Sequence, residues 1–414
     1  MNTWWRKWLR PFDRLRTRPW HMIGAVGLFY IGLTLARFDG DPLAFAVICP
    51  DPVKIAIGRC GYDGQFAYHI AIDPVGGAQF TDVPTYRYQR IIYPMLARVI
   101  GLGQAGLIPW ALILVNLIAL VAGTAILEVV LSESGASRWY ALAYGLFAGI
   151  MMPIRLDLTE PLAYALALGG VLAVMRGQCR LSGALLALAA LTKETTLLFV
   201  IGIVASGVLG SLATRYLDNR HQANRHLELP PTQTPPTRTP PTQMPSAQSS
   251  LTLRCAVEIG LIATVPFVVW QFVLRAQFGQ FGIGSGGALG TPFEMIPLRG
   301  WWSLAPVSLG AFAIVSLIAL PVAIVPALIG LRAALRDFVQ RRFDAPPMLL
   351  FFNAIIVLFT PQSTFREPLG LVRLIAGLVA ATLIYAASRQ SRRGLNYALL
   401  WIFTLALALN ESNL

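Results

Sequence analysis

The chain has 414 residues, 56% hydrophobic and only 13% charged, with a formal net charge of +13. Soluble globular proteins carry about a quarter charged residues, so the composition argues against a soluble domain. The Lys and Arg residues sit in short clusters beside apolar runs, which is how membrane topology is set, and the pattern excludes nucleic acid as the partner.

In chain order, Met1–Pro19 carries Arg6, Lys7, Arg10, Arg14, Arg16 and Arg18 ahead of the apolar stretch Trp20–Ala36. With no small-residue cleavage site, this predicts a basic cytoplasmic N-terminus (1–19) and an uncleaved first spanning helix. Residues 38–105 hold no spanning run and predict a long first outer loop. Within it, Gln65–Ile72 and Arg90–Ile100 read as amphipathic helices lying on the membrane surface. Leu107–Leu131, Leu253–Leu274, Ser303–Leu331 and Leu369–Ala387 each come near or exceed the roughly 20 residues that span a bilayer as a helix. Alternation in ten-residue segments is absent, which argues against a β-barrel.

The predicted fold is therefore all-α and polytopic, with about eleven transmembrane helices near 20–37, 106–131, 138–153, 161–175, 181–192, 196–213, 255–275, 303–331, 348–360, 370–388 and 395–410. A cytoplasmic N-terminus places most of the basic clusters inside, in a cell membrane. Leu181–Leu191 is too short to cross alone, so two short helices are expected to meet at Thr192-Lys193-Glu194, as broken helices do where they line a cavity. Three Pro-Pro-Thr repeats between Leu227 and Ser250 predict a PPII-like cytoplasmic linker (214–253). It separates an N-terminal module (20–213) from a C-terminal one (254–414).

Cys49 and Cys60 share the outer loop, where a disulfide is open to them. Cys179 and Cys255 read as ordinary membrane-edge residues, and the four cysteines have no metal-binding spacing. Gly282-Ile283-Gly284-Ser285-Gly286-Gly287 fits a dinucleotide fingerprint in letters only, without the flanking strand, helix and acid. A mobile outer loop is the expectation there.

This topology collects ionisable residues at one membrane surface. The first loop contributes Asp63, Arg87 and Arg90; the second contributes Asp157 and Glu160. The helix break adds Lys193 and Glu194, and a late loop adds Arg366 and Glu367. Such groups are costly near lipid and normally face a cavity with partners. A carboxylate that takes a hydroxyl proton, with basic residues holding a departing phosphate, suits transfer of a sugar from a polyprenyl phosphate. Each acid has a plainer reading beside this one: Asp63 as a helix cap, Asp157 and Glu160 as helix-start residues, Lys193 and Glu194 as a snorkelling pair. Arg87 and Arg90 also fit as anchors to lipid headgroups.

The run Tyr62-Asp63-Gly64-Gln65-Phe66-Ala67-Tyr68-His69-Ile70-Ala71, followed by Tyr93-Pro94-Met95-Leu96, resembles the first-loop signature of GT-C glycosyltransferases. It is most like the family of the second mannosyltransferase of glycosylphosphatidylinositol synthesis and its bacterial relatives. Leu191-Thr192-Lys193-Glu194-Thr195 resembles bacterial multispanning proteins of cell-surface glycopolymer formation. The likeness is good over the first six helices and poor over the last third. It implies a transferase with Asp63 as catalytic base, a role that carries over to no other residue. The charged residues gathered at the same surface then predict an inverting transfer with Asp157, Glu160, Lys193, Glu194, Arg87, Arg90 and Arg366 binding substrate. The expected partners are the lipid bilayer, a polyprenyl-phosphate sugar donor and a glycan or lipid acceptor on the extracytoplasmic face. Mg or Mn is left open, because Gly64 stands where many members carry a second acid. The competing readings are a transporter or flippase for a lipid-linked sugar, and a non-catalytic assembly subunit. The absence of visible repeats and of midplane charges favours the enzyme.

Overall fold

A computed structural model of the chain describes residues 17–58, 60–225 and 251–413, and is helical throughout, with no strand among the described residues. The expected basic N-terminus lies almost wholly outside those residues, as does most of the expected linker. Among the described residues, five helices are long and apolar enough to cross a membrane, or six if one bent pair counts as a single span. This is the pattern of a multi-pass helical membrane protein.

The first long helix is α1 (Pro19–Arg37), followed by the loop helices α2 (Asp63–Ile72), α3 (Pro84–Tyr88) and α4 (Ile92–Ile100). Then come α5 (Ile108–Glu133), α6 (Ala148–Arg155), α7 (Glu160–Met175), α8 (Cys179–Thr192), α9 (Leu197–Arg225) and α10 (Leu253–Phe278). The last third holds α11 (Leu309–Ala319), α12 (Val325–Val339), α13 (Ala345–Leu358), α14 (Gln362–Arg366), α15 (Pro368–Leu374), α16 (Ala376–Ser388) and α17 (Arg392–Ala398).

Helix boundaries follow local chemistry. Pro109 occupies the first turn of α5, where its missing N–H costs nothing. Thr252 caps α10 by accepting from the Cys255 N–H at 3.3 Å, and Gly279 ends that helix with φ +77°. Pro321 lies within a π-helical turn, Leu320–Ile324, between α11 and α12, and Pro326 sits in the first turn of α12.

Several expectations are corrected. The span expected at 138–153 is broken into a 3-10 turn, a single turn at Leu142–Gly145, and α6. The expected linker starts too early, because α9 continues as helix to Arg225. The span expected at 395–410 is instead the short helix α17 followed by a 3-10 stretch, Leu399–Asn413. Helix α2 does not lie on the surface: Gly64, Gln65, Phe66, Ala67, Ile70 and Ala71 are buried against α4 and α5. The break between α8 and α9 is as expected, with Lys193 extended between them at φ −157°.

Helix α5 packs on α7, α7 on α8, α8 on α10, and α10 on α9, which leads to α13, α12 and α16. Small residues allow these close approaches, as in membrane bundles generally: Gly170 faces Leu186, Gly183 faces Ile262, and Gly330 faces Leu350. Cys49 pairs with Cys60, and Cys179 pairs with Cys255, tying α8 to α10 across a Cα separation of 5.5 Å. The second pair corrects the reading of those two cysteines as ordinary membrane-edge residues.

Candidate active site

The turn before α7 brings the first loop to the bundle. A Cβ on Gly64 would overlap the carbonyl oxygen of Leu156, so only glycine lets the start of α2 dock there. That docking sets Asp63, at the first turn of α2, beside the segment Leu156–Glu160. Gly149 does the same for α15. A Cβ there would overlap the carbonyl oxygen of Val372, whose neighbour Arg373 points to the same place.

A chain of alternating charges results. Arg87 holds Asp82 through Nε at 2.6 Å and Nη2 at 2.8 Å, and donates through Nη1 to Asp63 Oδ1 at 2.7 Å. Asp63 Oδ2 accepts from Arg373 Nη2 at 2.7 Å. Arg373 Nε reaches Glu160 Oε1 at 2.6 Å, and Lys193 Nζ reaches the same oxygen at 2.6 Å. Beside this chain, Arg90 grips Glu194 through two bonds of 3.0 and 2.7 Å and lies 3.9 Å from Asp63. Aromatic rings back the guanidiniums: Phe66 is 4.1 Å from Arg87, and Tyr86 is 4.4 Å from Arg90. Tyr62 bonds Glu367 through its hydroxyl and accepts from Arg373 at 3.1 Å.

Burial pushes the Asp63 carboxyl up, but Arg87, Arg373 and Arg90 outweigh it and hold the group well below the usual carboxylate range. Asp157 is the opposite case. It is fully buried with φ +48°, and neither carboxyl oxygen has a hydrogen-bond partner among the described residues. The Tyr93 hydroxyl faces Asp157 and donates to the Leu112 carbonyl at 3.2 Å. Burial pushes Asp157 well above its ordinary value, and Arg155 and Tyr93 offset this only in part.

Asp63 and Asp157 line one cavity, together with Phe66, Ile70, Arg87, Arg90, Pro94, Thr159 and Arg373. Its volume is about 30 Å³, room for one or two waters and not for a sugar ring. The glycine-rich segment after α10 straps across one side. Ala288 N–H donates to Asp82 at 3.0 Å, and Thr291 bonds Ser363 at 3.1 Å.

Of the residues expected at the site, Asp63, Arg87, Arg90, Asp157, Glu160, Lys193 and Glu194 are thus brought together. Arg366 is not: it is exposed on α14 and makes no ion pair with the described residues. Arg373 takes that place, and the sequence reading missed it. The available signal was a lone charge inside the apolar run Leu369–Ala387. Asp82 was missed as well, and Tyr62 and Tyr86, though they lie beside Asp63 and Arg87 in the first loop, were given no role at the site. No set of three or more His, Cys, Asp or Glu residues among those described is placed to hold a metal ion. Comparison with known families, with curated proteins and with solved structures finds no match to this chain.

Proposed function

We propose that the protein is a GT-C-like membrane glycosyltransferase that moves a sugar from a polyprenyl-phosphate donor to an extracytoplasmic acceptor. In this reading the chain crosses a cell membrane about eleven times, several spans being short or broken, with the N-terminus in the cytoplasm. The observation that carries the proposal is the convergence of Arg87, Arg90 and Arg373 on one carboxylate, Asp63, at a cavity. Guanidinium groups bind phosphate oxygens in fork geometry and stabilise the charge that grows as a phosphate departs.

In the resting site, Asp63 is too weakly basic to take a proton. A donor phosphate competes with it for Arg87 and Arg373. Once those groups turn to the phosphate, Asp63 loses the charges that hold its carboxyl down. It then accepts the proton of the acceptor hydroxyl. The acceptor oxygen bonds to the anomeric carbon, the bond from that carbon to the phosphate oxygen breaks, and the polyprenyl phosphate leaves as an anion on the arginines. Attack opposite the leaving group inverts the anomeric carbon. Lys193 and Glu194 hold Arg373 and Arg90 in place through Glu160 and by direct pairing.

The test is transfer by the purified protein in vesicles loaded with a panel of polyprenyl-phosphate sugars and glycan acceptors. Product that disappears in Asp63→Asn at normal membrane levels supports the proposal. Product formed equally well by Asp63→Asn sinks Asp63 as base.

A further inference from the structure

Beyond the arginine cluster, the turn between α6 and α7 holds a second polar feature. Both oxygens of Asp157, the Thr159 hydroxyl and Glu160 Oε2 are buried and unpartnered among the described residues. Asp157 is 0% exposed and Thr159 8%, and both line the cavity. A buried polar atom left without a partner is costly, so a cluster of them on one turn calls for a polar partner in the cavity. The backbone strain at Asp157 is of the kind that persists where a site requires it.

We infer that Asp157 and Thr159 form a subsite for a single neutral hydroxyl group of the acceptor glycan, which enters the water-sized cavity next to the arginines while the sugar ring stays outside it. The inference rests on the transferase reading and names the acceptor side of the same cavity. Charge decides against the other ligand classes. Asp63, Asp82, Glu160 and Glu194 pair off with Arg87, Arg90, Arg373 and Lys193, so no excess negative charge recruits a cation. An anion has its partners among the guanidiniums and none on Asp157. A carboxyl group with no ion pair to the described residues and a threonine hydroxyl each offer a donor and an acceptor, which is what a sugar hydroxyl requires. Asp157 and Thr159 sit two residues apart on a turn that Gly64 clamps to α2, and so keep a fixed relation to Asp63.

The experiment is thermal melting of the full-length protein in detergent with three probes: a panel of neutral methyl glycosides, inorganic pyrophosphate and magnesium chloride. At least one glycoside is expected to stabilise the wild type. Asp157→Asn, whose amide keeps a donor and an acceptor, retains that response. Asp157→Leu and Thr159→Val each weaken it about tenfold, the cost of one unmatched hydrogen bond. The pyrophosphate response stays as in the wild type in all three variants, which also shows that they are folded. A glycoside response unchanged in Asp157→Leu, or no response to any glycoside, overturns the inference. So does stabilisation by magnesium that Asp157→Asn abolishes, since that marks a cation site. Binding needs no turnover. Glycoside binding that depends on Asp157, in a protein that transfers no sugar from any polyprenyl phosphate, keeps this subsite and removes the transferase reading.

Discussion

Arg373 and Asp63 stand 310 positions apart in the chain and meet with Nη2 and Oδ2 separated by 2.7 Å. The same guanidinium reaches Glu160 at 2.6 Å, so a single side chain closes the site between the first loop and the start of α7. Lysine carries the charge but lacks the fork that serves both carboxylates. Arg373→Lys is expected to lower transfer about 100-fold at normal membrane levels, and Arg373→Ala to destabilise the fold by roughly 3 kcal/mol, because two buried acids lose a partner. Transfer assays and detergent melting curves check both; full activity in Arg373→Lys would show that bridging is dispensable.

Asp63 predicts a dependence on acid. Its folded carboxyl is held below its unfolded value, so its stabilisation is present above the unfolded range near pH 4 and is lost as pH falls through the depressed value. Wild-type melting temperature is expected to fall more steeply below about pH 4 than that of Asp63→Asn, which has no such charge to lose. Parallel curves for the two proteins would contradict the arginine cage.

Asp157 predicts the reverse sign. Its folded carboxyl lies above its unfolded value, so the native state binds the extra proton, and stability declines as pH rises past the usual carboxylate range. Arg155 and the Tyr93 hydroxyl are the groups that limit the shift. Asp157→Asn is therefore expected to melt higher than the wild type at pH 8 and close to it at acid pH. A variant that melts lower at pH 8 would mean that the carboxylate is ionised and paired.

Gly64 is expected to tolerate no side chain. Gly64→Ala pushes a methyl into the Leu156 carbonyl and separates α2 from the turn that carries Asp157. Loss of transfer and a stability cost of about 1–3 kcal/mol are expected from the overpacking. The control is Gly32→Ala in α1, where a Cβ meets nothing within 4 Å, and which should gain roughly 0.5–1 kcal/mol. Equal melting temperatures for both variants would remove the docking role of Gly64.

The two cysteine pairs report orientation. Cys49–Cys60 lies at the site end, where Gln65 accepts from the Cys49 N–H at 3.0 Å. Cys179–Cys255 joins the N-terminal ends of α8 and α10, and the α8 end is the one away from Lys193. After reduction of intact cells, a membrane-impermeant thiol reagent is expected to label Cys49 and Cys60 and spare Cys179 and Cys255. The reverse pattern would put the site in the cytoplasm.

The apolar runs by themselves determined the helical membrane class, because a lipid-facing backbone must satisfy its own hydrogen bonds and helix length is fixed by bilayer thickness. The first-loop motif and the helix break at Lys193 also marked most of the charged residues that gather at the cavity. They were legible because a charge beside an apolar run needs a partner. Sequence could not say which partner each would find. The tertiary structure alone decided that Arg373, and not Arg366, reaches Asp63, and that Asp63 is caged by arginines while the oxygens of Asp157 have no hydrogen-bond partner among the described residues. Those choices depend on two glycines that let backbones touch, at Gly64 and Gly149, and on how far each carboxylate ends up from water. Pairing and desolvation are properties of positions in space, and residues hundreds of places apart in the chain set them together.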